Sequence, residues 1–196
     1  MTAAAPTALA HFADYSQRLR GVLGSADWTA VAHLAEELQD CLQTGRQVFL
    51  CGNGGSAGNA LHLVNDFVYG VAKTYGTGLR AHALPANSSL ITCLANDEGY
   101  DEIFSMQLAV HARKGDVLIV LSGSGNSPNV LKALEAGARI GMRTYAVLGY
   151  SGGKAKALAQ CPIHFPVDDM QISEDMQLVV GHMIMQWLYA NRSASR

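Results

Sequence analysis

His62 and Asp66 stand four positions apart in a chain of 196 residues, a spacing that puts an imidazole and a carboxylate on one face of a helix. Such a pair can share a metal ion or face one reacting carbon. Ahead of it runs Gly52-Asn53-Gly54-Gly55-Ser56. Glycines take backbone angles that other residues avoid, so amides converge where a helix starts and where its unpaired N–H groups and dipole favour an anion. A phosphate fits that description. Far along the chain, Glu174 and His182 offer a further carboxylate and imidazole. Taken alone, His62 with Asp66 is an ordinary solvated helical pair, and His182, inside the apolar run Val179–Leu188, is an ordinary hydrogen-bonded core histidine. The glycine turn is what points the first pair toward chemistry.

A second turn has the same character. The apolar run Val117–Leu121 ends in Ser122-Gly123-Ser124-Gly125-Asn126-Ser127, after which Ser127 is expected to cap a helix that carries Pro128 in its first turn. The hydroxyls of Ser122, Ser124 and Ser127 can donate to phosphate oxygens, and no Lys or Arg lies in the loop. That chemistry suits a phosphate monoester on a neutral sugar, although serine and glycine also collect in plain connecting turns. Gly52-x-Gly54-x-x-Ala57 fits a loose dinucleotide fingerprint, which asks for an acidic residue about 20 positions on. None occurs between Asp66 and Asp97, and Arg80 keeps only a 2′-phosphate version open. Neither turn continues into the Lys-Ser/Thr of a P-loop. No nucleotide cofactor is expected.

The elements that must position these residues follow from periodicity. Short apolar runs predict strands at Val48–Cys51, Arg80–Leu84, Val117–Leu121, Thr144–Leu148 and Ile163–Phe165. Helices are expected near Ser56–Tyr69, Ser88–Ala95, Glu102–Arg113, Ser127–Gly141, Gly153–Gln160 and Ile172–Ala190. The alternation predicts an α/β fold in three layers, a five-stranded parallel sheet flanked by helices. Ligands of such sheets bind beyond the carboxyl ends of the strands, where both glycine turns fall. Before the sheet, helical spacing of Phe12, Tyr15, Leu19, Val22 and Leu23, and then of Trp28, Val31, Leu34, Leu38 and Leu42, predicts a helical hairpin. The expected layout is a single domain, 1–196, with the hairpin at 1–45 available for oligomerisation and the α/β core at 46–196. Gly70–Gly78 reads as the one loose loop.

With 49% hydrophobic residues and a net charge of −2, the chain can build a full core and has no basic surplus for nucleic acid. Its apolar runs are too short for a bilayer, and the Ala-rich start Met1–Ala10 lacks the basic flank of a signal peptide. A cytoplasmic protein with no membrane partner is the expectation. Cys41, Cys51, Cys93 and Cys161 are widely spaced and read as buried free thiols. His11, His33, His82, His111 and His164 read as structural.

The first glycine turn, His62-x-x-x-Asp66, Ala95-Asn96-Asp97-x-Gly99-Tyr100, Gly115-Asp116-Val117-Leu118, the second glycine turn and Glu174 ahead of Gly181-His182 occur together in one order. In that order and spacing the chain resembles sugar isomerase (SIS) domains of the phosphoheptose isomerase type over nearly its whole length. The resemblance implies a homotetramer that converts sedoheptulose 7-phosphate to D-glycero-D-manno-heptopyranose 7-phosphate through an enediol, feeding heptose into surface glycans such as lipopolysaccharide. By position it implies Asp66 and His182 as the acid–base pair. Asn53, Gly54, Gly55, Ser56, Asp97, Ser122, Gly123, Ser124, Ser127 and Glu174 would hold substrate. Some relatives bind zinc, and the matching set here is His62, Asp66, Glu174 and His182, one ion per subunit. Glu174 lies over two helical turns before His182, so one chain must stretch to supply both. Asp175 is a rival for that place, and Asp168 and Asp169 read as solvated loop acids. Three positions depart from the family: Asp66 for its usual Glu, Glu174 for its usual Gln, and Gly70 where it often has Arg. These changes leave a different sugar phosphate open as substrate. A non-catalytic SIS adaptor that regulates replication initiation is the other alternative, and the acidic and imidazole groups at both key positions weigh against it.

Overall fold

A computed structural model describes residues 7–73 and 76–191. The first six residues of the Ala-rich start, and residues 74 and 75 of the loop Gly70–Gly78, lie outside the described residues.

Five strands form one sheet: β1 (Gln47–Cys51), β2 (Arg80–Ala83), β3 (Val117–Ser122), β4 (Arg143–Leu148) and β5 (Cys161–His164). Their order is β2-β1-β3-β4-β5, and every pair is parallel. Alternate side chains build two cores. Val48, Leu50, Val117, Ile119, Leu121, Tyr145 and Val147 face one layer of helices, while Phe49, Cys51, Leu118, Val120, Ala146 and Leu148 face the other. The first layer contains α2 (Thr29–Thr44), α3 (Gly55–Asn65) and α8 (Met170–Asn191); the second contains α5 (Ser105–His111), α6 (Pro128–Ile140) and the short α7 (Ala155–Leu158). Between β2 and α5 lies α4 (Ser88–Asp97), and α1 (Ala8–Ser25) opens the chain. The strand order reverses direction between β1 and β3, so the crevice at their carboxyl ends is where an open sheet takes its ligand.

Several element ends differ from the sequence expectation. Pro85 has no N–H to give a ladder, so β2 stops at Ala83 and Leu84–Ala86 forms a 3₁₀ turn. Lys132 and the Ser105 hydroxyl bind the Glu102 carboxylate; Tyr100–Glu102 is a 3₁₀ turn and α5 begins only at Ser105. The expected helix Gly153–Gln160 shrinks to α7 because Gly152 and Gly153 both have positive φ, 82° and 53°. Asp169, read as a solvated loop acid, instead caps α8: its carboxylate accepts from the Ile172 amide at 3.0 Å. That bond, with Arg18 beside it, holds its carboxyl below the ordinary range. The thiols divide as well. Cys41 and Cys51 are buried, but Cys161 is half-buried and Cys93 is exposed.

The N-terminal hairpin is unequal. Val31, Leu34, Ala35, Leu38 and Cys41 of α2 are buried, whereas α1 buries no residue, and Leu9 and Phe12 are 79% and 64% exposed. Two polar ties fasten α1 to the start of α8. The Tyr15 hydroxyl donates to Asp175 at 2.5 Å, and Arg18 pairs with Asp169. Burial and the Asp175 carboxylate push the Tyr15 phenol up to about 12.

Candidate functional site: two glycine turns and an Asp–His–His group

β1 runs into the first turn at Gly52, which lies against its neighbour β3: a Cβ on Gly52 would stand 2.7 Å from the Leu121 carbonyl oxygen. Gly54 has φ 54° and ψ −121°, a conformation that side chains resist. The first backbone bonds of α3 run from Ala57 and Gly58 to Gly54, so the amides ahead of them need acceptors outside the helix. Ser56 is buried, and its Oγ accepts from the Gln177 side chain at 3.0 Å. The Ser56 O–H is thereby left as a donor.

The second turn repeats this economy. Ser122 Oγ accepts from the Gly125 amide at 3.0 Å and Ser124 Oγ from the Asn126 amide at 3.4 Å, so each hydroxyl hydrogen can be given to a ligand. Ser127 precedes α6 as expected, but its side chain makes no capping bond. Pro128 supplies no N–H to the first turn, and the hydroxyl instead lines the cleft. That cleft, about 260 Å³, lies between the two turns and is bordered by Asn53, Gly54, Gly55, Ser56, Ser122, Gly123, Ser124 and Ser127, with Met170 and Glu174 of α8 closing its side. Asp97 is not part of this lining. It is exposed at the end of α4, where Asn96 and Cys93 donate to its carboxylate.

His62, Asp66 and His182 meet a short way along the same helices. The two imidazole Nε2 atoms are 2.9 Å apart, and each is 3.5 Å from Asp66 Oδ2. Two features produce this meeting. At Gly181 a Cβ would collide with the Leu63 side chain, so the glycine lets α8 approach α3 closely enough for the neighbouring His182 to reach His62. From Asp66 to Gly70 the α-helix widens into a π turn, with the Val71 amide bonded to the Asp66 carbonyl at 3.0 Å. Such widenings re-aim side chains and are frequent at functional sites.

The three ligand atoms fit a divalent ion. Tetrahedral zinc with bonds of about 2.0–2.1 Å sets its ligands about 3.3 Å apart, which matches the observed triangle. Among the described residues this is the group of His, Cys, Asp and Glu atoms close enough to hold a metal. Glu174 does not join it. Eight positions of helix separate Glu174 from His182, about 12 Å along the axis, and the Glu174 carboxylate lies instead against Gly55, where a Cβ would collide with it. Its rival Asp175 is engaged by Tyr15. Asp66 also borders a second cleft of about 620 Å³ that includes Gly70 and Lys73.

Three polar residues near the cleft, Asn129, Gln177 and Asn59, escaped the sequence reading. Asn129 is 1% exposed and pairs with Asn53, to which Tyr100 also donates. Gln177, also 1% exposed, holds Ser56, and Asn59 donates to Gln177 and to the Glu174 carbonyl. A signal for two of them exists: Asn129 and Gln177 sit on the buried stripes of α6 and α8, where an amide is costly unless it is bonded.

Comparison with known proteins gives the family and the fold. A family model described as SIS domain matches residues 11–149. The chain belongs to the SIS domain family. A phosphoheptose isomerase from Akkermansia muciniphila is 38% identical to this SIS domain over 173 residues, covering 84% of the chain and 91% of the relative. Among solved structures, a phosphoheptose isomerase from Francisella tularensis superposes with a TM-score of 0.87 at 25% identity, covering 95% of this chain and 100% of that one. Another, from Neisseria gonorrhoeae, gives 0.83 at 29% identity, covering 93% and 96%. The five-stranded parallel SIS fold expected from sequence is the fold observed.

Proposed function

We propose that this SIS domain is a sugar-phosphate aldose–ketose isomerase acting on sedoheptulose 7-phosphate. The observation that carries the reading is the pairing, on α3 and α8, of an anion cradle with the Asp66–His62–His182 group, in a chain 38% identical to a phosphoheptose isomerase. Ser56, Ser122, Ser124, Ser127 and the amides of Gly54, Gly55 and Gly123 take the phosphate. Asn53 and Glu174, at the rim, meet sugar hydroxyls, and Asp97, exposed at the end of α4, is assigned the same role.

Isomerisation requires one group to move a proton between two carbons and another to move protons between two oxygens. Asp66 takes a proton from C1 of the ketose, exchanges it with solvent, and gives a proton to C2. His182 gives a proton to the C2 oxygen and recovers one from the C1 oxygen, so that an enediol lies between ketose and aldose. His62, Asp66 and His182 would hold a zinc ion, which supplies Lewis-acid polarisation of the carbonyl when bound, and Asp66 and His182 would then move protons through the second carboxylate oxygen and Nδ1.

Ten positions separate Ser56 from Asp66, about 15 Å of helix, and the roughly 9 Å from C2 to phosphorus in an extended chain, lengthened at each end by a hydrogen bond and a side chain, bridges that interval. In our reading a homotetramer, packed through the hairpin 1–45, places the sites at subunit boundaries, where Glu174 of a neighbouring copy completes the metal site. Purified protein should carry about one zinc per chain, and His62→Ala should empty the site while the melting transition stays cooperative. Wild-type protein that binds no divalent metal when supplied with it would reduce the group to a metal-free acid–base pair.

A further inference from the structure

We infer that Asn129 is a positioning residue that acts through Asn53 and makes Asn53 an obligate donor to the bound sugar phosphate. The inference rests on the proposed function, in which Asn53 touches substrate. Asn129 lies in the first turn of α6, below the second glycine turn, and is 1% exposed. Asn53 lies in the first glycine turn. Their side-chain amides pair at two points: Asn53 Nδ2 donates to Asn129 Oδ1 at 2.9 Å, and Asn129 Nδ2 donates to Asn53 Oδ1 at 2.8 Å.

The orientation of this pair is fixed from the backbone. The Val130 amide donates to Asn129 Oδ1 at 2.9 Å, and an N–H can face only an acceptor, so Asn129 cannot flip its amide without opposing two donors. Complementarity then fixes Asn53. The Tyr100 hydroxyl gives Asn53 Oδ1 a second donor at 3.2 Å, which fills both lone pairs of that oxygen. What Asn53 has left is one Nδ2 hydrogen, beside the cleft it lines. The site is therefore committed at this point to an acceptor oxygen on the ligand. The pair also bridges the two glycine turns, setting the spacing of the cradle halves.

The test is a double-mutant cycle read by calorimetric binding of sedoheptulose 7-phosphate, with Asp66→Asn in every protein so that turnover does not interfere. The set is the parent, Asn53→Ala, Asn129→Ser and the double variant. Serine is neutral and keeps an acceptor near Val130, so charge and the helix start are preserved. We expect each single substitution to weaken binding by about tenfold, and the double variant to bind no more weakly than Asn53→Ala alone, because Asn129 has no other route to the ligand. Unchanged affinity in Asn129→Ser, or losses that multiply in the double variant, would overturn the inference while leaving the site reading intact. Unchanged affinity in Asn53→Ala would remove Asn53 from the site and the inference with it. If Asn129→Ser does not melt cooperatively, Asn129→Ala takes its place with the same expectation.

Discussion

Ser124 spends its acceptor on the Asn126 amide and keeps its hydrogen for the ligand, so removing the hydroxyl removes one bond to a charged oxygen. Ser124→Ala should therefore lose about 1.5–3 kcal/mol of phosphate affinity, roughly tenfold to a hundredfold in a titration; unchanged binding would place phosphate elsewhere. Glu174 acts in the opposite sense. Its carboxylate lies against Gly55 at the start of α3, where it opposes any incoming anion, and like charges near a protein surface repel by up to about 4 kcal/mol at 4 Å before screening. Glu174→Gln should tighten binding of inorganic phosphate by about tenfold, and weaker binding would show that the carboxylate helps rather than hinders. The cradle was legible in sequence because two glycine- and serine-rich turns each follow an apolar run and fall in the order of the SIS motifs, although either turn alone would pass for a plain connection. Asn129 and Gln177 carried a weaker signal, an amide on a buried helical stripe, which says that a partner exists but not that the partner is Asn53 or Ser56.

At the scale of elements, the contact of α3 with α8 decides whether His62 and His182 meet. An alanine in a helix usually gains up to about 1 kcal/mol over glycine, but at Gly181 the new methyl would enter the Leu63 side chain, and overpacking costs typically about 1–3 kcal/mol. The second effect wins. Gly181→Ala should lower the melting temperature and weaken zinc binding together; a more stable protein with metal affinity unchanged would show that the helices do not depend on this glycine. The number of strands and the helical layers on both faces could be anticipated from short apolar runs that alternate with helical stretches, whereas the strand order and the π turn from Asp66 to Gly70 could not, the latter because its residues keep an ordinary helical pattern. The early end of β2 and the shortened α7 follow from Pro85 and from two glycines with positive φ, local signals that the periodicity outweighed.

For the whole molecule, α1 buries no residue within its own chain while exposing Leu9 and Phe12. A homotetramer packed on this face covers it, so sedimentation at micromolar concentration should give four times the 20.8 kDa chain mass; a monomer alone would contradict it. The layered fold was readable from sequence since it depends on composition along strands, but where the parts of the site lie relative to one another was not, and the separation of Glu174 from His182 shows why: helix rise, and not residue type, decides which carboxylate stands beside the two imidazoles. The most direct measurement follows sedoheptulose 7-phosphate by NMR in heavy water with zinc supplied, comparing wild type with Asp66→Asn. The account predicts conversion to the aldose with solvent deuterium entering at C2, and its loss in Asp66→Asn while substrate still binds. No conversion by wild type, or conversion by Asp66→Asn at the wild-type rate, would contradict it.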